Sequence, residues 1–177
     1  LSKQTPSILA DMGVGTRYAY SHKSIRKTLT IYGLFVFFTV PAGYLSGLLV
    51  SRVYGDTYWY LTAVELVGFG GMMLGGLLMS VWGGFKSRRL TLAIALLLFG
   101  AMAIGMGVSS FFYLYLVLMG LYGIALTAAQ TTITTMLQEE TESTMQGRVF
   151  GLMSSLYSSC YPIGMLLFGP MADQIPL

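Results

Sequence analysis

The chain has few charged residues. Only 10% of its 177 residues are Asp, Glu, Lys or Arg, whereas ordinary globular domains carry roughly a quarter. A water-soluble protein of this size needs polar residues to cover its surface, yet 55% of these residues are hydrophobic. The composition therefore predicts an integral membrane protein whose main partner is the lipid bilayer.

Cysteine and histidine are almost missing. Cys160 and His22 each occur once and lie far apart in sequence, so we expect neither an intramolecular disulfide nor a metal site. The apolar runs contain no Ser/His pair, paired carboxylates or His/Cys cluster, so we expect no cofactor and no enzymatic activity. The net charge of +3 does not indicate nucleic acid binding, because the basic residues adjoin long apolar runs.

What the chain has instead is a series of long apolar runs after a polar N-terminal segment. Each run approaches or exceeds the ~20 residues that cross about 30 Å of hydrocarbon as a helix. A soluble core does not cover five such lengths, so we predict an all-α integral membrane fold with five transmembrane helices. We divide the chain into a cytoplasmic linker, residues 1–28, and a transmembrane bundle, residues 29–177. The predicted spans are 29–50, 58–82, 90–108, 111–137 and 149–171.

The cations indicate the orientation of these spans. Lys86, Arg88 and Arg89 gather in the short loop GGFKSRR between the second and third runs. If the N-terminal segment is cytoplasmic, nine of the ten Lys and Arg residues fall on the inner side and Arg52 is the exception. This division fits the positive-inside rule, so we expect the loops at 83–89 and 138–148 to face the cytoplasm.

Glu65 is the only carboxylate within a predicted span. It lies about 9 Å from the outer end of the second helix by helical rise. Charge at that depth is costly, so such a residue usually faces a cavity or a partner, or takes up a proton. We regard Glu65 as a candidate for the substrate or proton pathway. The alternative is a structural hydrogen bond, or a side chain that snorkels toward the outer surface.

Small and polar residues form one stripe along the fourth run. They recur three or four residues apart and therefore share one face of a helix. The stripe either lines a substrate path, which the amide of Gln130 favours, or lets helices pack closely. Gly71-x-x-x-Gly75 in the second run also fits the close-packing pattern. The stripe consists of Gly120, Gly123, Thr127, Gln130, Thr131, Thr134 and Gln138.

The order of these features resembles the C-terminal half of a major facilitator superfamily transporter. A basic linker, a Gly-rich second span, the GGFKSRR loop, a tight outer hairpin and TMQGRVFG before the fifth span follow in turn, and they look most like bacterial drug and macrolide exporters. The loop is similar to the family's cytoplasmic signature, an acid followed by Gly and paired cations. Gly84 stands near the acid's place, and Ser87 replaces the Gly.

The resemblance implies that the spans are helices seven to eleven of twelve, and that the chain is a fragment lacking an N-terminal six-helix half. It implies export of a small hydrophobic substrate such as a macrolide, driven by protons through alternating access, in the inner membrane of a bacterium. Gly83, Gly84 and the three cations then either set topology and touch anionic lipid, or hold helix ends in a gating contact. A membrane scaffold or lipid-binding subunit that transports nothing is the alternative.

Overall fold

The computed structural model describes residues 8–43, 46–55 and 58–174. Within these ranges the chain forms helices and no strand. The helices are α1 (Ile8–Ser21), α2 (Lys23–Gly43), α3 (Ser46–Tyr54), α4 (Tyr58–Trp82), α5 (Arg88–Val108), α6 (Phe112–Glu140) and α7 (Gln146–Gln174).

The first predicted span is longer than expected. Helix begins at Lys23 rather than at residue 29, because Lys and Arg are good helix formers and need not enter the hydrocarbon. Pro41 lies in the last turn of α2, and the helical path resumes as α3 after two residues outside the described ranges. Much of the predicted linker is helical too, since α1 packs against α7 and α2. The domain boundary at residue 28 stays a prediction.

Four helical stretches in the described ranges are long and apolar enough to cross a membrane. They are 23–54, 58–82, 88–108 and 112–140, so four of the five predicted spans are confirmed as candidates. Helix α7 covers the fifth with 29 residues, but it is not among them. Its middle contains Ser154, Ser155, Ser158 and Ser159 beside two tyrosines, which lower its hydropathy. The count of five spans therefore stays a prediction.

The helices form two groups that meet at α6. In the first group α4 and α5 both pack extensively on α6, and in the second α2 packs on α7 and α1 packs on both. Contact between α2 and α5 is slight, which leaves a groove between the groups. Buried residues of α6 include Tyr115, Ala129, Ile133 and Leu137, so α6 supplies much of the core.

The loops that connect the helices lie at two opposite ends of the bundle. At one, which we call the basic end, Ser24 and Arg88 reach the end of α6 at Glu140 and Glu139. At the opposite end, Tyr54 donates to the carbonyl of Ser109. There Arg52, the one cation predicted to lie outside, donates to the carbonyl of Ala172 at 2.6 Å. The loops assigned to opposite sides of the membrane thus lie at opposite ends of the bundle.

Large apolar side chains cover the outside of the bundle. Val81 is 90% exposed, Val108 77% and Leu166 75%. A monomeric soluble protein rarely exposes contiguous apolar surface on this scale. These side chains need lipid or another helical bundle against them, which agrees with the composition.

Candidate functional site

Glu65 lies on an exposed face of α4. It is exposed, while its neighbour Val64 is only 3% exposed and packs in the core. Exposed Leu66 and Phe69 lie near it along the helix. Within the described part of the chain, Glu65 forms no hydrogen bond or ion pair. The face that carries Glu65 therefore points away from this bundle, toward lipid or a further partner, and not into a cavity of the chain itself.

Helices α4 and α6 approach each other through glycine. A Cβ added to Gly71 would lie 2.2 Å from the carbonyl oxygen of Gly120, and one added to Gly123 would lie 2.5 Å from the carbonyl oxygen of Gly68. Gly75 meets the backbone of Ile124 in the same way, at 2.9 Å. Such distances leave no room for a methyl group, so the glycines of both helices are required for this contact.

The α6 stripe therefore has two parts. Gly120 and Gly123 contact α4, and Thr127 lies beside Gly75 in the same interface, 3.1 Å from the position of an added Cβ. This part packs helices closely, as one of the two alternatives predicted. Toward the basic end the stripe continues through Gln130, Thr131 and Thr134, which are half-buried, and ends at exposed Gln138.

Thr134 of this second part donates its hydroxyl proton within its own helix, as does its neighbour Thr135. Thr134 donates to the carbonyl of Gln130 at 2.9 Å, and Thr135 donates to that of Thr131 at 2.9 Å. Each hydroxyl oxygen retains lone pairs that can accept a hydrogen bond. Thr134 thus offers a hydrogen-bond acceptor, and the amide of Gln130 can both donate and accept.

Gln130 belongs to a polar cluster that the sequence analysis missed. Its side chain and that of Tyr157 of α7 both lie within interaction range of the Tyr32 hydroxyl of α2. Tyr157 and Tyr161 stack with ring centroids 5.6 Å apart. We call Tyr32, Gln130, Tyr157 and Tyr161 the tyrosine cluster. Tyrosines four residues apart in α7 were the available signal, because that spacing puts both rings on one helix face.

One further tyrosine of α6 lies about two helical turns from Gln130 and packs on Phe99 of α5. Tyr122 of α6 is 4% exposed, and its hydroxyl has no hydrogen-bond partner among the described residues. Burying a hydroxyl without a partner is costly. The middle of the bundle between α2, α6 and α7 therefore holds several phenol groups and one amide in otherwise apolar surroundings.

The GGFKSRR loop turns through its two glycines. Gly83 and Gly84 have φ of +69° and +86°, a region that side chains disfavour. The hydroxyl of Thr91 accepts a hydrogen bond from the Phe85 backbone N–H at 2.9 Å. Ser87 caps α5, since its side chain accepts from the Leu90 N–H. The loop is thus a defined turn between α4 and α5.

The cations of this loop differ in their contacts. Arg88 donates to the carbonyl oxygen of Gly83 at 2.6 Å, just beyond the end of α4, and pairs with Glu139 of α6 at 3.1 Å. Lys86 and Arg89 form no ion pair or hydrogen bond with the described residues. Arg88 therefore joins the basic ends of three helices, which is the kind of contact that the gating alternative requires.

The acidic run at the end of α6, which consists of Glu139, Glu140 and Glu142, is the partner of the cations that sequence reasoning overlooked. Glu139 binds Arg88, and Glu140 accepts a hydrogen bond from the Ser24 hydroxyl at 2.6 Å. The backbone N–H of Glu142 donates to the Tyr18 hydroxyl of α1 at 3.4 Å. The run thus connects α6 to α1, α2 and α5. The available signal was that the cationic loop at 83–89 and the acidic loop at 138–148 were both predicted to face the cytoplasm.

The Arg88–Glu139 pair is expected to contribute little to stability. The two side chains are 40% and 52% exposed, so solvent screens them and their coupling free energy is about 0.5 kcal/mol. A double-mutant cycle with Arg88→Gln and Glu139→Gln, read by thermal unfolding in detergent, measures it. Lys86→Gln is the matched control without a pair. Coupling above about 2 kcal/mol would mean that the pair is shielded by something outside the described residues.

A scan against family models gives one match that covers nearly the whole chain. The model described as Major Facilitator Superfamily matches residues 3–175. The chain belongs to the Major Facilitator Superfamily. The resemblance carried by the loop and the order of spans is therefore confirmed.

Several curated proteins are similar in sequence to this superfamily member. The chain is 26% identical over 172 residues to "Macrolide efflux protein A" of Streptococcus pyogenes, and the match covers 96% of this chain and 42% of that protein. The protein of the same name from Enterococcus faecalis is 25% identical over 162 residues, with coverage of 90% and 50%. "Multidrug efflux pump Tap" of Mycolicibacterium fortuitum is 28% identical over 185 residues, with coverage of 98% and 42%.

The chain spans between 42% and 50% of the length of these relatives. No solved structure gives a significant match. The helical arrangement described above therefore comes from the structure of this superfamily member alone. The activity of a whole protein that contains the chain is proposed below.

Proposed function

We propose that this chain is part of a secondary active transporter that exports small hydrophobic drugs from a bacterial cell. Family membership over residues 3–175 supports a transporter rather than an enzyme. Relatives named as macrolide and multidrug efflux proteins support export as the direction. In this proposal the helices form five spans of a six-helix half bundle in the inner membrane, and an N-terminal half bundle supplies the other wall of the pathway.

The observation that carries the proposal is the tyrosine cluster between α2, α6 and α7. Tyr157 is 50% exposed, and Gln130 and Tyr161 are half-buried, so an approaching molecule can reach them. Aromatic rings with a few hydrogen-bonding groups are the usual lining of sites for hydrophobic small molecules. Thr131 and Thr134 continue this surface along α6 toward the basic end. We place the substrate against these residues, with the close α4–α6 pair as the rigid support behind them.

Glu65 has a separate role in this proposal. Its exposed face on α4 is free to meet the N-terminal half bundle, where a carboxylate can exchange a proton. The inner contacts of Arg88 and the acidic run hold the basic ends of the helices together in one conformation. Rocking of the two halves then exposes the substrate surface to each side of the membrane in turn.

Replacing Gln130 tests the substrate surface. We expect Gln130→Ala, in the full protein that the gene encodes, to lower export of erythromycin or ethidium about fivefold, since one buried hydrogen bond to a ligand is worth about 1 kcal/mol. Efflux from loaded, drug-sensitive cells is the measurement. Gln138→Ala is the matched control, because Gln138 is exposed at the end of α6 and uses only its backbone carbonyl in bonding Gln146.

Two results would contradict the proposal. Equal efflux by the Gln130 and Gln138 variants would remove the tyrosine cluster from the substrate path. Cells that gain no resistance to any drug from the unchanged protein would favour the alternative, a membrane scaffold that transports nothing.

A further inference from the structure

Helix α1 is docked on the beginning of α7. Gly15 is buried, and a Cβ added to it would lie 3.0 Å from the Cβ of Arg148 and 3.3 Å from the Arg148 carbonyl oxygen. Ala19 lies one turn later on the same face of α1, is 4% exposed and belongs to the same buried core as Val149 of α7. Two small residues four apart thus bring the backbone of α1 close to that of α7.

The same helix also contacts the end of α6. The backbone N–H of Glu142, in the connection between α6 and α7, donates to the Tyr18 hydroxyl at 3.4 Å. Just after α1, the hydroxyl of Ser24 donates to Glu140 at 2.6 Å. Helix α1 and the start of α2 therefore hold the last turn of α6 and the connection that follows it.

The bend between α1 and α2 at His22 keeps its backbone hydrogen bonds. The N–H of His22 donates to the carbonyl of Tyr18 at 3.2 Å, and the His22 carbonyl accepts from the N–H of Arg26 at 3.0 Å. The ring of His22 packs on that of Tyr18, with centroids 4.2 Å apart. Because the ladder is continuous, a displacement of α1 is passed to α2.

The three helices that α1 joins are the ones that carry the tyrosine cluster. Tyr32 lies on α2, Gln130 on α6, and Tyr157 and Tyr161 on α7. Helix α2 packs on α7, but each of these two helices has far less contact with α6. The position of Gln130 relative to the three tyrosines therefore depends on the ties at the basic end, and α1 supplies several of them.

We propose that α1 is a clamp that positions the tyrosine cluster, because it fixes the basic end of α6 relative to the α2–α7 pair. Gly15 is the positioning residue, since a larger side chain there would push α1 away from Arg148. With α1 displaced, Gln130 no longer keeps one distance from Tyr32 and Tyr157. The effect on substrate rests on the function proposed above, whereas the docking of α1 does not.

Gly15→Leu in the gene's full protein tests the clamp. A displaced α1 should unfold, because an isolated helix of 14 residues is marginal in water. We expect the backbone amides of residues 13–21 to exchange hydrogen about tenfold faster or more, measured by mass spectrometry in detergent. The dissociation constant for ethidium, measured by fluorescence anisotropy, should rise about fivefold with no change in the number of sites per protein.

Gly13→Leu is the matched control. Gly13 lies in the same helix, and an added Cβ meets nothing within 4 Å, so both measurements should stay within about twofold of the unchanged protein. If Gly15→Leu fails to fold, Gly15→Ala and Gly13→Ala repeat the comparison with a smaller change. In a Gln130→Ala background, Gly15→Leu should weaken ethidium binding by less than about twofold, since α1 acts through the cluster.

Three results would overturn the proposal. Equal hydrogen exchange in the Gly15 and Gly13 variants would show that Gly15 does not hold α1. Faster exchange at unchanged affinity would show that α1 is docked without positioning the cluster, and fewer sites at unchanged affinity would show only a loss of folded protein. No ethidium binding by the unchanged protein would instead overturn the substrate surface proposed above, and with it the positioning role, while hydrogen exchange would still decide the docking of α1.

Discussion

Gly71→Ala is expected to destabilise the bundle by about 3 kcal/mol, the upper end of typical overpacking costs. The added methyl would lie 2.2 Å from the carbonyl oxygen of Gly120 and 2.9 Å from its carbon. Both are backbone atoms, so no side chain can move aside, and α4 must separate from α6. We expect a lower midpoint of thermal unfolding in detergent and a loss of the monodisperse peak on size exclusion.

Gly70→Ala is the matched control for this variant. Gly70 is the preceding residue of the same helix, and an added Cβ meets nothing within 4 Å. It should be neutral or slightly stabilising, because alanine favours helix. Equal unfolding midpoints for the two variants would contradict the close approach of α4 and α6 through glycine.

Glu65→Gln is expected to abolish most drug export, about tenfold or more, if Glu65 exchanges the coupled proton as proposed. Glutamine keeps the shape of the side chain but cannot release a proton at any physiological pH. Stability should not fall, because Glu65 forms no hydrogen bond or ion pair within the described chain and a charge near lipid is unfavourable. Efflux of a loaded drug and the unfolding midpoint, measured on the same preparations, separate these effects.

Glu142→Gln serves as the control, since Glu142 is exposed in the connection between α6 and α7 and uses only its backbone groups in bonding. It removes the same charge without touching a helix interior. Unchanged export in Glu65→Gln would place proton exchange elsewhere in the whole protein and leave Glu65 as a residue that snorkels to the surface.

The ends of several helices could be predicted closely from the sequence. The second predicted span, 58–82, coincides with α4, and the third and fourth differ from α5 and α6 by one to three residues at an end. The apolar sequence stops abruptly at Gly83 and at Ser109, and these changes in composition mark where α4 and α5 end. The first span was less well predicted, because good helix formers precede its apolar run and the helix already begins at Lys23.

The partners of each helix could not be predicted. Gly71 and Gly75 belong to a recognisable packing pattern, but with 22 glycines in the chain the pattern does not indicate which glycine meets which. The structure pairs Gly71 with Gly120 and places part of the α6 stripe in a helix contact. The tyrosine cluster was missed for a related reason, since Tyr32 and Gln130 are 98 residues apart and only the fold brings them together.

The most direct test of this account is the side of the membrane on which each end of the bundle lies. Cys160 is first replaced by serine, and then Lys86→Cys and Ser110→Cys are made separately in the full protein. Intact cells are treated with a membrane-impermeant maleimide, and labelling is compared before and after permeabilisation. We predict labelling of Ser110→Cys in intact cells and of Lys86→Cys only after permeabilisation. Labelling of Lys86→Cys in intact cells, or equal labelling of both positions there, would contradict it.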